Sequence, residues 1–219
     1  MSAIMIRKIS LIFFTLFIAT QVFATAQSPD EITVEAETFY LNTNPLTPYL
    51  KKIEWEIPKE AAIWSSNWRG YIAEWEIRNN SLYLSDVTIE VMDKSDALER
   101  SRKSILVDIF TKKEEVVAEW YSGALIIPDG SQVDYVHMGY GSTYEKYQIF
   151  RIHKGEVVDH KHLSLDEFRK YKDTKFSDFR KTDLFKKEYT DLTEGEYDWS
   201  EEEAVNFMRS FYAEYYLAQ

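Results

Sequence analysis

Two adjacent asparagines, Asn79-Asn80, constrain this chain more than any other pair of residues. Asparagine tolerates positive φ, and two in succession can form the centre of a type I′ turn, which joins antiparallel strands through a two-residue loop. Closing the chain there sets Arg78 opposite Ser81, Ile77 opposite Leu82 and Trp75 opposite Leu84. Period-2 alternation then groups Tyr71, Ala73, Trp75 and Ile77 with Leu82 and Leu84 on one face, leaving Glu74, Glu76 and Arg78 on the other. Further from the turn Ile72 is expected to meet Val87, so both faces become apolar and the sheet is covered on both sides there. Gly70 stands at the strand entrance, where a missing side chain admits another backbone or a ring.

Two more hairpins are expected. EWYSGALIIPDGSQVDYVHM turns at Asp129-Gly130, and QIFRIHKGEVVDHKH turns at Lys154-Gly155. Ahead of them, residues 31–39 read as a strand, and PLTPYL, with Pro45 and Pro48, reads as a rigid loop. Residues 95–110 read as a helix, although ILVDIF suits a strand equally well. The last third changes character. Ser164 and Glu167 form a capping box, with Leu163 and Phe168 placed as a hydrophobic staple. Ser200 and Glu203 form a second box, behind which Ala204, Phe207, Met208, Phe211 and Tyr215 recur at helical spacing. A third helix is expected near residues 177–187. Strands followed by helices predict an α+β fold: an antiparallel sheet built from successive hairpins, with mainly C-terminal helices packed on one side.

The N-terminus reads as a secretory leader. Arg7 and Lys8 precede an apolar run, residues 9–23, that is too short and too interrupted for a comfortable membrane span. Ala24-Thr25-Ala26 supplies the small-x-small pattern for cleavage after Ala26. The expected organisation is therefore a signal peptide, 1–26, and a single domain, 27–219, sheet-rich over 31–162 and helical over 163–219. The expected location is the periplasm or the extracellular space, with no membrane span after cleavage. No cysteine is present, so neither a lipid-anchored cysteine nor a disulfide framework applies. Formal net charge is −11, and the leader carries Arg7 and Lys8 but no acid, so its removal leaves about −13. Such a chain repels phosphate backbones, which argues against nucleic acid; its acidity serves solubility first and, as the sharper reading, attraction to a basic protein partner.

Candidate chemistry is sparse. There is no cysteine nucleophile, no Gly-x-Ser-x-Gly elbow and no phosphate loop; GYGS, residues 139–142, lacks the lysine and the length. Asp159-His160-Lys161-His162 projects two imidazoles from one strand face, with Asp159 on the other; a zinc site needs three or four convergent ligands, so no metal and no cofactor is expected. The expected register sets His160 beside Ile149 and His162 beside Tyr147. Acids cluster at Glu74/Glu76, Glu114/Glu115 and 201–203; a glycosidase would need two of them in one cleft, whereas strand alternation alone explains the first pair. Aromatic strand edges carry the strongest signal. Trp68 and Arg69 near Tyr71, and His137 near Tyr135 and Tyr140, with Tyr144 beyond, suit a Trp and Tyr core with satisfied polar tips and are also the residue types that anchor protein interfaces.

The stretches WRGYIAEWEIRNNSLYLSD, EWYSGALIIPDG and YVHMGYGSTYE together resemble a group of small bacterial proteins of unassigned activity, some immunity-like. The likeness spans roughly residues 64–150 and implies a non-catalytic protein, with no catalytic motif to carry over. Two functions are thus expected in competition. One is an exported binding protein that captures a protein partner through Trp68, Arg69, His137, Tyr140 and Tyr144, an immunity-like inhibitor being one form. The other is a glycan- or cell-wall-directed hydrolase using a carboxylate pair. A structural envelope protein without a dedicated ligand is a third.

Overall fold

The computed structural model describes residues 26–92, 100–111, 115–137, 139–195 and 198–219. The expected leader, apart from Ala26, lies outside them. The architecture is α+β. Among the described residues, strands β1 (Asp30–Val34), β2 (Glu37–Leu41), β3 (Ile72–Arg78), β4 (Ser81–Met92), β5 (Arg100–Ser104), β6 (Val116–Val117), β7 (Gly123–Asp134), β8 (Thr143–His153) and β9 (Glu156–Ser164) form one sheet. Short helices α1 (Thr47–Lys52) and α2 (Leu106–Phe110) interrupt it, and α3 (Leu165–Phe179), α4 (Asp183–Thr193), α5 (Glu201–Phe211) and α6 (Ala213–Tyr216) follow it.

The strand order is β2-β1-β3-β4-β9-β8-β7, with β5 and β6 attached to β4. Every pair is antiparallel except β1 with β3. The sheet curls until its ends meet, where the Asn42 amide donates to the Ile126 carbonyl at 2.8 Å. At the other joint, β4 and β9 pair only at Ser81 and Glu156, where the β3–β4 and β8–β9 turns dock on each other. Leu82 N–H donates to Gly155 C=O, and Val157 N–H to Asn80 C=O.

The Asn79-Asn80 turn is as the sequence dictates, with φ of 51° and 62° and Ser81, Leu82 and Leu84 opposite Arg78, Ile77 and Trp75. Beyond it a bulge between Glu74 and Trp75 shifts the register, so Val87 faces Ala73 and Ile72 faces Thr88. Lys154-Gly155 also turns as expected. Asp129-Gly130 does not. β7 runs through it to Asp134, and Gly130, at φ 79°, takes up one extra residue between the Asp129–Lys146 and Gln132–Tyr144 pairs. A positive-φ glycine serves a bulge as readily as a turn. In β9 a bulge likewise moves His160 opposite Phe150 and His162 opposite Gln148, correcting the expected neighbours.

Four further expectations change. Residues 31–39 hold two strands rather than one, bent at Glu35-Ala36, where both φ are positive. PLTPYL contains the start of α1, because Pro48 falls in the first turn, where a missing N–H costs nothing. Of the helix expected over 95–110, residues 100–104 are strand β5 and only Leu106–Phe110 is helical, while 95–99 lie outside the described residues. The helix near 177–187 is split, since Thr182 caps a new one by accepting from Phe185 N–H. Both capping boxes are present.

Two cores result. Inside the curl, Ile32, Leu41, Trp75, Leu82, Leu84, Leu125, Ile127 and Phe150 pack with Leu50 of α1 and Leu106 of α2. Outside it, Ala124, Ile126, Tyr147 and Ile149 pack against Phe168, Phe176, Phe179, Met208 and Tyr216 of the C-terminal helices. Adjacent residues of β7 thus serve opposite cores, which is why Ala124–Ile127 is a continuous apolar run instead of an alternating one.

Candidate functional site

Where the outer core reaches the turn before β3, a cavity of about 420 Å³ opens. That is the size of a small-ligand or side-chain-accepting pocket. One wall is α3, whose Leu165, Phe168, Arg169 and Lys172 share a face at i, i+3, i+4 and i+7. Phe211 and Glu214 close it from the C-terminal helices, Ile126, Thr143 and Tyr147 from the sheet, and Asn42, Asn44 and Tyr140 from the loops.

Trp68 and Arg69 enter through a tight turn in which Gly70 N–H donates to Asn67 C=O. Gly70 has φ 73°, and a Cβ there would sit 2.8 Å from Ile57 Cγ2, so glycine is required on both counts. This is the close approach expected at the strand entrance, made by a side chain. The turn faces its two residues differently. Trp68 is 64% exposed at the mouth, whereas Arg69 is 7% exposed beneath it. Arg69 Nη1 donates to Asp30 Oδ1 at 2.9 Å and Nη2 to Ser28 C=O at 2.9 Å. Asp30 is fully buried, and its carboxylate also accepts from Ala73 N–H at 3.2 Å and from Trp75 Nε1 at 3.1 Å. Burial works most strongly against the Arg69 charge, but Asp30, Tyr140 and Tyr71 together outweigh it, so the guanidinium holds its proton more tightly than usual. Arg69 is therefore a structural cation at the cavity floor, where the sequence suggested an exposed anchor.

Tyr140 donates to Asn44 Oδ1 at 3.0 Å, and burial raises its phenol pKa against the opposing pull of Arg69. Thus Trp68, Arg69 and Tyr140 come together around one cavity. His137 and Tyr144 lie outside its lining. The Tyr135 hydroxyl and His137 Nδ1 are 2.6 Å apart in the exposed loop after β7. Tyr144 packs edge-on to Tyr147 and donates its backbone N–H to the Tyr147 hydroxyl at 3.1 Å, buttressing a lining residue.

The residues that sequence reasoning missed are on the helices. Lys172 is half-buried; burial, then Arg209, pushes its ammonium pKa down, partly offset by Asp173, a carboxylate itself paired with Arg209. Burial pushes the Glu214 carboxyl up, partly offset by Tyr215 and the Asn44 amide. Glu214 is the one acid among the described lining residues. Phe211, expected on a buried helical face, is 54% exposed at the mouth. Helical spacing marked this face, but only the docking of α5 and α6 decides which of its residues reach the cavity.

His160 and His162 border a second hollow of about 260 Å³ with Glu35, Glu37 and Asp129. His160 stacks on Phe150 at 3.6 Å, and its pKa is lowered by burial and by His162. No group of three metal-ligating side chains converges among the described residues. Glu74 lies on the sheet beside Glu31 and Asp86; burial, then those two acids, raises its pKa. No described helix is long and apolar enough to cross a membrane. No protein family, curated protein or solved structure matches this chain.

Proposed function

We propose that this chain is an exported, non-catalytic binding protein that captures a protein partner at the mouth of the 420 Å³ cavity. The observation that carries this reading is the pairing of two exposed aromatic side chains, Trp68 and Phe211, at one concave site with a rigid floor. Large aromatics left in water at a pocket rim are the residue types that become binding hot spots. An immunity-like inhibitor is one form of such a protein. The acidic surface would steer a basic partner by long-range attraction, so added salt would slow association more than it speeds dissociation. A glycan hydrolase is the alternative. It calls for two facing acids, but the cavity offers Glu214 alone among its described lining, and the Glu74–Asp86 pair sits elsewhere, on the sheet.

The test is capture from the native envelope by the immobilised chain, with mass spectrometry of what is retained. Trp68→Ser and Phe211→Ser are each expected to weaken capture by at least ~30-fold, the scale of a hot-spot residue. Glu74→Gln is expected to change nothing. Undiminished capture by both aromatic variants would overturn the assignment, and loss of a glycan-releasing activity in Glu74→Gln would favour the hydrolase.

A further inference from the structure

We propose that the cavity receives the C-terminal residue of the captured partner, with its carboxylate against Lys172 and its apolar side chain against Ile126, Leu165 and Phe211. The proposal rests on the binding role given above and specifies the chemistry recognised.

Charge comes first. The chain is strongly acidic overall, yet this cavity is lined by Arg69, Arg169 and Lys172 against a single acid, Glu214. Arg69 is already neutralised by Asp30, and Arg169 by Asp166 at 3.4 Å on the surface. Lys172 is left over. It sits half-buried over the Phe168 ring, 5.6 Å from its centroid; Asp173 attracts it, but that carboxylate is paired with Arg209. A desolvated cation of this kind gains most from an anion that enters the same low-dielectric space. Thr143 Oγ1, in the same lining, also has no hydrogen-bond partner among the described residues and is a donor suited to a carboxylate. Glu214, which the Asn44 amide engages, is the one acid in the described lining that an incoming carboxylate must avoid.

Shape selects the carrier. The walls on either side of Lys172 are aliphatic and aromatic: Ile126, Leu165, Phe168 and Phe211. An aspartate or glutamate side chain offers one or two methylenes and would leave that space empty. A chain terminus ending in Leu or Phe joins a carboxylate to a large apolar side chain on the same Cα. It is also the part of a folded partner that enters a concavity without unfolding, and end capture by carboxylate is a recurring mode of peptide recognition.

Isothermal titration of the processed chain with N-acetyl tripeptides ending in Leu or Phe tests this, each as the free acid and as the C-terminal amide. The acid is expected to bind at least ~10-fold tighter than the amide, the worth of one charge-assisted hydrogen bond. Lys172→Met should collapse that ratio to about unity, while Lys172→Arg should preserve it. Equal affinity for acid and amide, or a ratio indifferent to Lys172→Met in a variant that melts like the parent, would overturn the proposal. So would 3-phenylpropanoate binding as tightly as the peptides, which would define a small-carboxylate site. Absence of peptide binding alongside Trp68-dependent capture of a partner would sink the proposal and leave the binding role standing. Capture indifferent to Trp68 and Phe211, with the acid preference intact, would do the reverse.

Discussion

Arg69 and Lys172 border one cavity from different layers of the molecule, and the fold treats them in opposite ways. Arg69 comes from the turn ahead of β3 and is met by Asp30, Ser28 and the face of Tyr71. Lys172 comes from α3 and is met by a phenylalanine ring and a second cation, Arg209. The first is part of the frame, since its carboxylate partner also ties Ala73 and Trp75 and so locks β1 to β3. The second adds little to the frame. A charge paired within its own layer is evidence about architecture, and one whose nearest carboxylate is paired elsewhere is evidence about what is bound.

The comparison breaks most visibly at Asp30. Asp30→Asn removes the counter-charge from a buried guanidinium and is expected to cost ~3–5 kcal/mol in chemical unfolding, the range for breaking a buried pair. A loss under ~1 kcal/mol would mean that Arg69 does not depend on its partner and is as available to a ligand as Lys172. Glu214 sharpens the contrast on the helical side. Its folded-state pKa is raised, so its contribution to stability is present below its usual 4.5 and is lost as pH rises through the folded value. Glu214→Gln should therefore melt above the parent at pH 7, with the difference vanishing once pH falls below 4.5. A gap of the same size at both ends of that range would rule out a desolvated carboxylate. The smallest effect belongs to Lys172. Its folded-state pKa is lowered, so the unfolded chain holds the extra proton in the window below 10.5, and stability rises with pH there. Lys172→Met should be within ~1 kcal/mol of the parent at neutral pH, on the stable side, and the difference should close toward pH 10.5. A clearly destabilised Met variant would reveal a structural partner for Lys172 and erase the distinction.

How much of this was legible depended on range. The Asn79-Asn80 turn and the capping boxes at Ser164 and Ser200 are written in three or four adjacent residues, and the sequence reading matches them. Gly130 was misread because positive φ at glycine is common to a hairpin turn and a bulge, and only the partner strand, 14 residues on by the Ser131–Glu145 contact, decides between them. The parallel pairing of β1 with β3 joins segments about forty residues apart and leaves no local mark. Trp68, Arg69 and Tyr140 were singled out by residue type, and the structure places them around one cavity. That Arg69 points inward depends on Asp30, which nothing in the stretch around Arg69 announces. Lys172 could not be found by pattern, because a lysine on an amphipathic helix reads as solvated until the facing loop is known.

The closure of the sheet bears on how the molecule behaves among its own copies. An unpaired strand is a template on which a neighbouring chain can grow, and a protein without cysteines has no crosslink to hold such a strand in place. Here β2 is turned back toward β7 through Asn42 and Ile126, so these two ends of the strand path cap each other. Two strands remain outside the circuit, the two-residue β6 and β5, which is Arg-Ser-Arg-Lys-Ser and is exposed along its whole length. Two like β5 edges approaching side by side would bring Arg100, Arg102 and Lys103 of each copy together. Repulsion at that margin disfavours backbone pairing between copies along β5.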